Sequence, residues 1–393
     1  MSLLCNHVLF LYRESLFLCD WKLPFGGKRD EDLILPLNDS ISTTLSMEQM
    51  RATTTIMQSP DFDKDRIWLN GKEESFDNPR LIRCLTEMRR LAGDSPQKDW
   101  KIHICSENNF PTAAGLASSA AGYACLVYTL SKVLRVEGDV TAVARQGSGS
   151  ACRSLAGGFV HWARGDRADG TDSIAKEIFP LVHWPSLRVL ILVVTDKKKK
   201  VSSTSGMQRC VETSELLQYR VSHSVPRRVQ DITKAIASKD FRTFAEVMMK
   251  DSNQFHATAL DSFPPAVYMN DVSHSIAEMV HTYNNICGST KLAYTFDAGP
   301  NACLYLEAAD VPEVVALVTR VFPPSPDIVG EYVTGLPVSQ AQLPQNLRAN
   351  FEPSEAGLLQ YCILTELGSG PKELTDPRCH LLAEDGTPKH LTS

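Results

Sequence analysis

The chain has 393 residues, 43% of them apolar, and a formal net charge of −6 at pH 7. The length points to two or three domains and the apolar share to a full hydrophobic core. The acidic balance argues against a nucleic-acid-binding surface as the main business. Eleven cysteines are scattered without CxxC pairs, and no Cys/His spacing fits zinc. Cys125, Cys303 and Cys362 sit in apolar runs, so buried free thiols in a reducing compartment are expected. The longest aliphatic run, Val189-Leu190-Ile191-Leu192-Val193-Val194, is far too short to cross a bilayer. The apolar N-terminus lacks a basic flank, and Arg13 and Glu14 interrupt it, so no signal peptide is expected and the protein reads as cytoplasmic.

Residues 1–24 carry no clear period. After them, residues 33–37 and 41–45 read as strands around an Asn38-Asp39-Ser40 turn. Residues 51–57 form a Thr-rich strand, and residues 66–72 enter a hairpin through Asn70-Gly71. In residues 79–92, Leu81, Cys84, Leu85, Met88 and Leu91 fall on one helical face. Residues 100–105 alternate as a strand. Residues 123–136 carry a helical stripe of Tyr123, Val127, Leu130 and Leu134 that would face a sheet.

Between that strand and helix lies Asn108-Asn109-Phe110-Pro111-Thr112-Ala113-Ala114-Gly115-Leu116-Ala117-Ser118-Ser119-Ala120-Ala121-Gly122. Backbone N–H groups at a helix start are unpaired and the helix dipole favours negative charge there, so this stretch suits an anion. A tight helix start capped by Ser118 or Ser119 accounts for the same residues equally well. A short helix from residue 140 runs into a second small-residue loop, Gly147-Ser148-Gly149-Ser150-Ala151-Cys152-Arg153-Ser154. It reads either as an anion site completed by the arginine or as a plain loop. Residues 157–162 return to strand. Residues 163–187 are polar and contain proline, which puts a domain boundary near residue 185.

The second half opens on the strand 188–195. Four consecutive lysines, Lys197 to Lys200, come next and read more readily as a solvated loop than as cover for a polyphosphate. Residues 206–285 are largely helical. A strand at 291–296 delivers Asp297-Ala298-Gly299-Pro300-Asn301, followed by a strand at 302–306, a helix at 312–322, a last strand at 359–364 and a polar tail. There is no GxGxxG, no GxxxxGK[ST] and no kinase-type catalytic loop. Mixed α+β domains therefore fit better than a doubly wound sheet. Residues 108–122 become the candidate phosphate handle, with Lys28, Arg153 and Asp297 as ionisable partners.

On the 109–122 and 147–154 loops, on Tyr294-Thr295-Phe296-Asp297-Ala298-Gly299-Pro300-Asn301 and on Met249-Lys250-Asp251-Ser252-Asn253-Gln254-Phe255-His256, the chain resembles the mevalonate diphosphate decarboxylases of the GHMP kinase superfamily. The resemblance implies a two-domain α+β fold. Residues 1–185 would form a ribosomal protein S5 domain 2-like ATP- and phosphate-binding domain, and residues 186–393 a ferredoxin-like domain. It implies ATP-dependent decarboxylation of (R)-5-diphosphomevalonate in isoprenoid and sterol biosynthesis, with ATP and Mg²⁺ as cofactors, a homodimer, no nucleic acid and no membrane. By the same likeness, Asn108, Pro111, Ala113, Ala114, Gly115, Leu116, Ala117, Ser118 and Ser119 would hold the nucleotide, with Ser119 also on the metal. Phe25, Gly26, Gly27, Lys28, Arg80, Ser148, Gly149, Ser150, Ala151, Cys152, Arg153 and Thr204 would contact substrate. Asp297, Arg153, Lys28 and Ser119 would serve catalysis.

The likeness runs from about Lys28 onward. Family members begin with a strand carrying Pro-x-Asn-Ile-Ala and then Tyr-Trp-Gly-Lys, where this chain has Phe25-Gly26-Gly27-Lys28 and Cys19 near the expected Asn. A thiol lacks the amide's paired donor and acceptor, and losing the strand would open a sheet edge. An alternative first exon or a faulty gene model would account for the change. Three readings remain: the decarboxylase, a small-molecule kinase of the superfamily without CO₂ loss, and a non-catalytic isoform.

Overall fold

The computed structural model describes residues 14–17, 27–109, 118–195 and 201–389, with only the backbone described at 14–17. Phe25, Gly26, the 110–117 part of the first loop and the lysine run lie outside the described residues.

The first half contains β1 (Glu14–Phe17), β2 (Lys28–Asp30), β3 (Leu35–Pro36), β4 (Ser40–Thr44), β5 (Ala52–Ser59), β6 (Arg66–Leu69), β7 (Lys72–Glu74) and α1 (Pro79–Leu91). Next come β8 (Lys101–Asn108), α2 (Ser118–Val133), α3 (Thr141–Gly147), a 3₁₀ helix (Gly149–Leu155), β9 (Phe159–Trp162) and β10 (Ala175–Phe179). One sheet runs β1-β4-β9-β10 and a second β5-β8-β6-β7, while β2 and β3 form a separate hairpin. The backbone of β1 pairs antiparallel with β4, Glu14 opposite Thr44 and Phe17 opposite Ile41. The edge expected to stand open therefore carries a four-residue strand. The Gly/Ser loop at 149–155 is helical, and the polar stretch 163–187 includes β10.

The second half contains β11 (Leu187–Val193), α4 (Ser203–Thr213), α5 (Glu215–Tyr219), α6 (Val225–Ser238), α7 (Phe241–Asp261) and α8 (Asp271–Cys287). These are followed by β12 (Leu292–Phe296), β13 (Ala302–Glu307), α9 (Val311–Val321), β14 (Val333–Gly335), α10 (Gln345–Asn350) and β15 (Tyr361–Glu366). Its sheet has the order β12-β13-β11-β15-β14. The aliphatic β11 lies inside it because both its faces can be buried. Helices and strands mix in both halves, giving the expected two-domain α+β architecture. The halves are stitched by backbone: Ser46 N–H donates to Glu366 O (2.8 Å), Gly368 N–H donates to Thr44 O (2.8 Å), and Leu45 bridges Leu367. Thr43 and Tyr305 add a hydroxyl pair at 2.9 Å.

Alternation along β5 and β8 gives their sheet two working faces. Ile56, Ile102 and Ile104 pack against α1 and α2. Met57, Trp68 and Cys105 face the other way and are covered by Leu382 from the tail. The tail is thus docked rather than simply polar: Leu381 N–H donates to Thr55 Oγ1 (3.0 Å), and Gly386 O lies 2.8 Å from His103 Nδ1. Leu382→Ala is expected to lower unfolding stability by about 2–3 kcal/mol, read from the urea midpoint.

The cysteines match the expected pattern in the main. Cys84, Cys105, Cys125, Cys152, Cys210 and Cys362 are buried and reduced, whereas Cys303 is only half-buried. Burial pushes the Cys84 and Cys362 thiols up to about 12, so they are inert packing groups. Among the described residues no helix is long and apolar enough to cross a membrane.

Candidate active site

β8 ends at Asn108 and α2 begins at Ser118, so the 109–117 connection spans the gap between a strand end and a helix start. Beside these two ends lies a cavity of about 340 Å³. Ile67, Leu81, Ile104 and Leu126 give it apolar walls, while Asn108, Ser119, Ser75 and Asn78 place polar atoms around it. Asn108 Oδ1 is buried with no hydrogen-bond partner among the described residues. An acceptor in that state is free to take a donor from a ligand or from water. Ser119 lines the cavity from the first turn of α2, where unpaired N–H groups and the helix dipole converge. Apolar walls, an orphaned acceptor and a positive helix end fit a nucleotide with its phosphates at α2. The side chain of Ser118 and residues Pro111, Ala113, Ala114, Gly115, Leu116 and Ala117 lie outside the described side chains.

Tyr123 joins this cavity to the second loop. It lines the cavity, and its hydroxyl reaches Asn78 Oδ1 at 3.5 Å. Its ring lies so close to Gly147 that a Cβ there would stand 2.3 Å from a ring carbon. Glycine is required at that contact. Burial pushes the hydroxyl up to about 12, with Arg80 as a nearby opposing charge. Arg80, in the first turn of α1, therefore stands at the same junction. The helical stripe alone points Tyr123 toward a sheet; the signal for its place here is that it is the first large residue after a run of small ones.

From Gly147 the chain passes through Ser148 into the 3₁₀ helix holding Gly149, Ser150, Ala151, Cys152 and Arg153, all buried. Ala151 N–H closes the first turn on Ser148 O at 2.8 Å, and Cys152 Sγ donates to Gly149 O at 3.1 Å. Arg153 is fully buried. Its Nη1 donates to Ser40 Oγ (2.9 Å) and its guanidinium lies 5.1 Å from the centre of the Trp162 ring. Both partners fix the plane of the fork.

Asp297 comes directly after the last residue of β12. Its Oδ1 accepts from Ala298 N–H (2.7 Å) and its carbonyl from Gly299 N–H (2.6 Å), so the turn holds the carboxylate in place. Tyr268 is a neighbour: burial, then the Cys210 thiol and the Asp297 carboxylate, push its hydroxyl up. That hydroxyl donates to Ser202 O at 3.4 Å, at the N-cap of α4, whose first turn carries Thr204. Gly206 makes the approach possible, since a Cβ there would lie 1.9 Å from the Tyr268 oxygen.

β2 packs against α4, which brings Gly27 and Lys28 to the same side. Lys28 is buried, and its ammonium pairs with Glu31. Leu37, just after the hairpin, packs in the cluster that holds Tyr268 and Ala298. Three residues on, past the bend at Leu37 and Asn38, Ser40 receives Arg153, so a short stretch of chain links the cluster beside the Asp297 turn to the buried arginine. The hairpin is itself anchored: Arg29 donates to the Arg164 and Arg167 carbonyls, and Arg145 to Leu33 O.

Two family models cover nearly all of this framework. One, described as Mevalonate 5-diphosphate decarboxylase C-terminal domain, matches residues 189–374, and the other, Diphosphomevalonate decarboxylase-like N-terminal domain, matches residues 23–175. The chain is 54% identical over 377 residues to a diphosphomevalonate decarboxylase of Danio rerio, covering 93% of this chain and 94% of the relative. It is similar in structure to the mevalonate diphosphate decarboxylase from Trypanosoma brucei, with a TM-score of 0.88, 35% identity, and coverage of 96% of this chain and 100% of the other. It is also similar to a structure described as "MDDEF in complex with MVAPP, AMPPCP and Magnesium", with a TM-score of 0.70, 28% identity, and coverage of 93% and 99%. On this sequence, this fold and this grouping of residues, the chain belongs to the diphosphomevalonate decarboxylase family.

Proposed function

We propose that this protein converts ATP and (R)-5-diphosphomevalonate to isopentenyl diphosphate, ADP, phosphate and CO₂, in the mevalonate pathway of isoprenoid and sterol biosynthesis. The observation that carries the reading is the Tyr123–Gly147 contact, which sets the Arg153 loop directly against the wall of the nucleotide-sized cavity. Family membership and the ligands in the name of the similar complex support it.

In this reading Asn108, Ser119 and the α2 N-terminus bind the nucleotide. The Ser119 hydroxyl, a hard oxygen donor, would help hold a Mg²⁺ ion brought with the nucleotide, and such an ion would supply charge neutralisation for phosphoryl transfer. Asp297 orients the C3 hydroxyl and accepts its proton as the oxygen attacks the γ-phosphorus. The C3–O bond then breaks with its electron pair leaving on phosphate. The C1–C2 pair becomes the new double bond as CO₂ departs. Arg153 holds the carboxylate in its planar fork. That pairing stabilises the ground state, so its value lies in placing the carboxylate beside the developing cation at C3. Gly27, Lys28, Arg80, Ser148, Ser150 and Thr204 supply further substrate contacts, and the diphosphate falls to the cationic and hydroxyl groups among them.

The proposal includes a division of labour near residue 185, with residues 1–185 holding nucleotide phosphate and residues 186–393 supplying Asp297. It also includes a cytoplasmic homodimer without nucleic-acid or membrane partners.

Release of labelled CO₂ from substrate carrying ¹⁴C in its carboxyl group tests the reaction. ADP, phosphate and CO₂ are expected in equal amounts. A phosphorylated product without CO₂ would make the protein a kinase of the same superfamily. Binding of ATP and substrate without turnover would make it a non-catalytic isoform.

A further inference from the structure

β12 is the edge strand of its sheet, so every second residue turns an N–H and a C=O away from the ladder. Such groups need partners when buried. At the start of the strand Asn284 of α8 serves Leu292 completely: Leu292 N–H donates to Asn284 Oδ1 (3.0 Å), and Asn284 Nδ2 donates to Leu292 O (2.7 Å). At the other end, α7 does the same for Phe296 with two residues. Ser252 Oγ accepts from Phe296 N–H at 3.1 Å, and the His256 imidazole bonds the Phe296 carbonyl. Ser252 and His256 are four apart, hence on one face of α7. The His256 ring lies 6.2 Å from the Phe296 ring, nearly perpendicular to it.

The two ends of the strand lead to different structures. Leu292 continues into ladder, whereas Phe296 is the last residue of β12 and the next residue is Asp297. Both peptide groups of Phe296 are therefore held at the point where the chain turns. Their planes set the Asp297 backbone, and the turn through Ala298 and Gly299 fixes the remainder.

We propose that Ser252 and His256 are positioning residues: together they clamp the Phe296 peptide and so aim the Asp297 carboxylate at the substrate hydroxyl. This rests on the catalytic reading of Asp297 given under the proposed function. Burial pushes the His256 imidazole down to about 3, so it stays neutral and keeps a single N–H donor across the working pH range. Misaiming a reacting group by about 1 Å costs on the order of 100-fold.

The test compares His256→Leu, His256→Asn, Ser252→Ala and Asn284→Leu with the parent protein. Asn284→Leu removes the same kind of edge closure at the far end of β12. It is the control for a merely structural role. The first readout is steady-state CO₂ release. His256→Leu should lower kcat by about 30- to 100-fold with both KM values within about threefold, and His256→Asn, which restores an N–H donor, should recover most of it. Asn284→Leu should lower Tm yet leave kcat unchanged.

The second readout is amide hydrogen exchange in the unliganded protein, which needs no turnover. His256→Leu and Ser252→Ala should speed exchange at residues 296–298 by about tenfold. The proposal is overturned if those amides keep their protection, or if Asn284→Leu costs as much kcat as His256→Leu. A parent protein that releases no CO₂ overturns the proposed function instead, and exchange then decides whether the clamp exists. If His256→Leu does not fold, Ser252→Ala carries both readouts.

Discussion

Asp297→Asn is expected to lower kcat by about three orders of magnitude, within the span seen for loss of a general base, while both KM values stay within a few-fold. The asparagine is nearly isosteric. Its amide oxygen can still accept from Ala298 N–H, as Oδ1 of the aspartate does at 2.7 Å, so the turn at the end of β12 is retained. What disappears is the negative charge and the site for the proton of the C3 hydroxyl. In the proposed mechanism neither contributes strongly to binding a ground state held by Arg153 and the phosphate contacts. The loss should therefore fall on kcat, and equilibrium binding of ATP and substrate should be near that of the parent. Turnover within about tenfold of the parent would place the base elsewhere.

Much of the fold is legible in the sequence because apolar period alone decides it. The residue 79–92 stripe is α1, and Leu81, Cys84, Leu85 and Met88 are buried as a helix of period 3.6 requires. The aliphatic run after residue 187 is an interior strand. The start of α2 lies five residues before the one its apolar stripe predicts, because Ser118 to Gly122 are too small to carry a hydrophobic signal. The tail departs from its polar reading for a different reason: a few apolar side chains, above all Leu382, dock it onto a distant sheet. The site divides in the same way. Arg153 and Asp297 can be named from local motifs, but their surroundings cannot. Ser40 lies 113 residues from the arginine it receives. Tyr123 acquires its role only from the glycine of another loop, and His256 only from the strand end beneath it. Long-range contacts of this kind leave no period or spacing in a single sequence.

The second large effect expected is on stability, at Asp251. This carboxylate is fully buried in α7, one residue before Ser252. Arg220 grips it with two bonds of 2.8 Å, from Nη1 to Oδ1 and from Nη2 to Oδ2, and Arg228 adds a third of 2.8 Å to Oδ1. Gln254 Oε1 accepts from Arg220 Nη1 at 3.1 Å and ties the group together. Burial by itself would raise the Asp251 carboxyl; Arg220 and then Arg228 overcome it and hold the group at about 2, against an ordinary value of 3.8. Removing the charge strands one fully buried guanidinium and one mostly buried one. Asp251→Asn should therefore cost about 3–5 kcal/mol of unfolding stability at pH 7, read from the urea midpoint. Asp169→Asn is the control: that carboxylate pairs with Arg167 in solvent, and its loss should leave the midpoint unchanged. The pH dependence has a fixed sign. A group whose folded value is depressed stabilises fully above its unfolded value and loses that contribution as pH falls through the folded one. The gap between parent and Asp251→Asn should stay constant from pH 7 down to about 4 and narrow steadily toward pH 2. A gap that widens on acidification, or a substitution as silent as Asp169→Asn, would show that the two arginines are satisfied without the carboxylate.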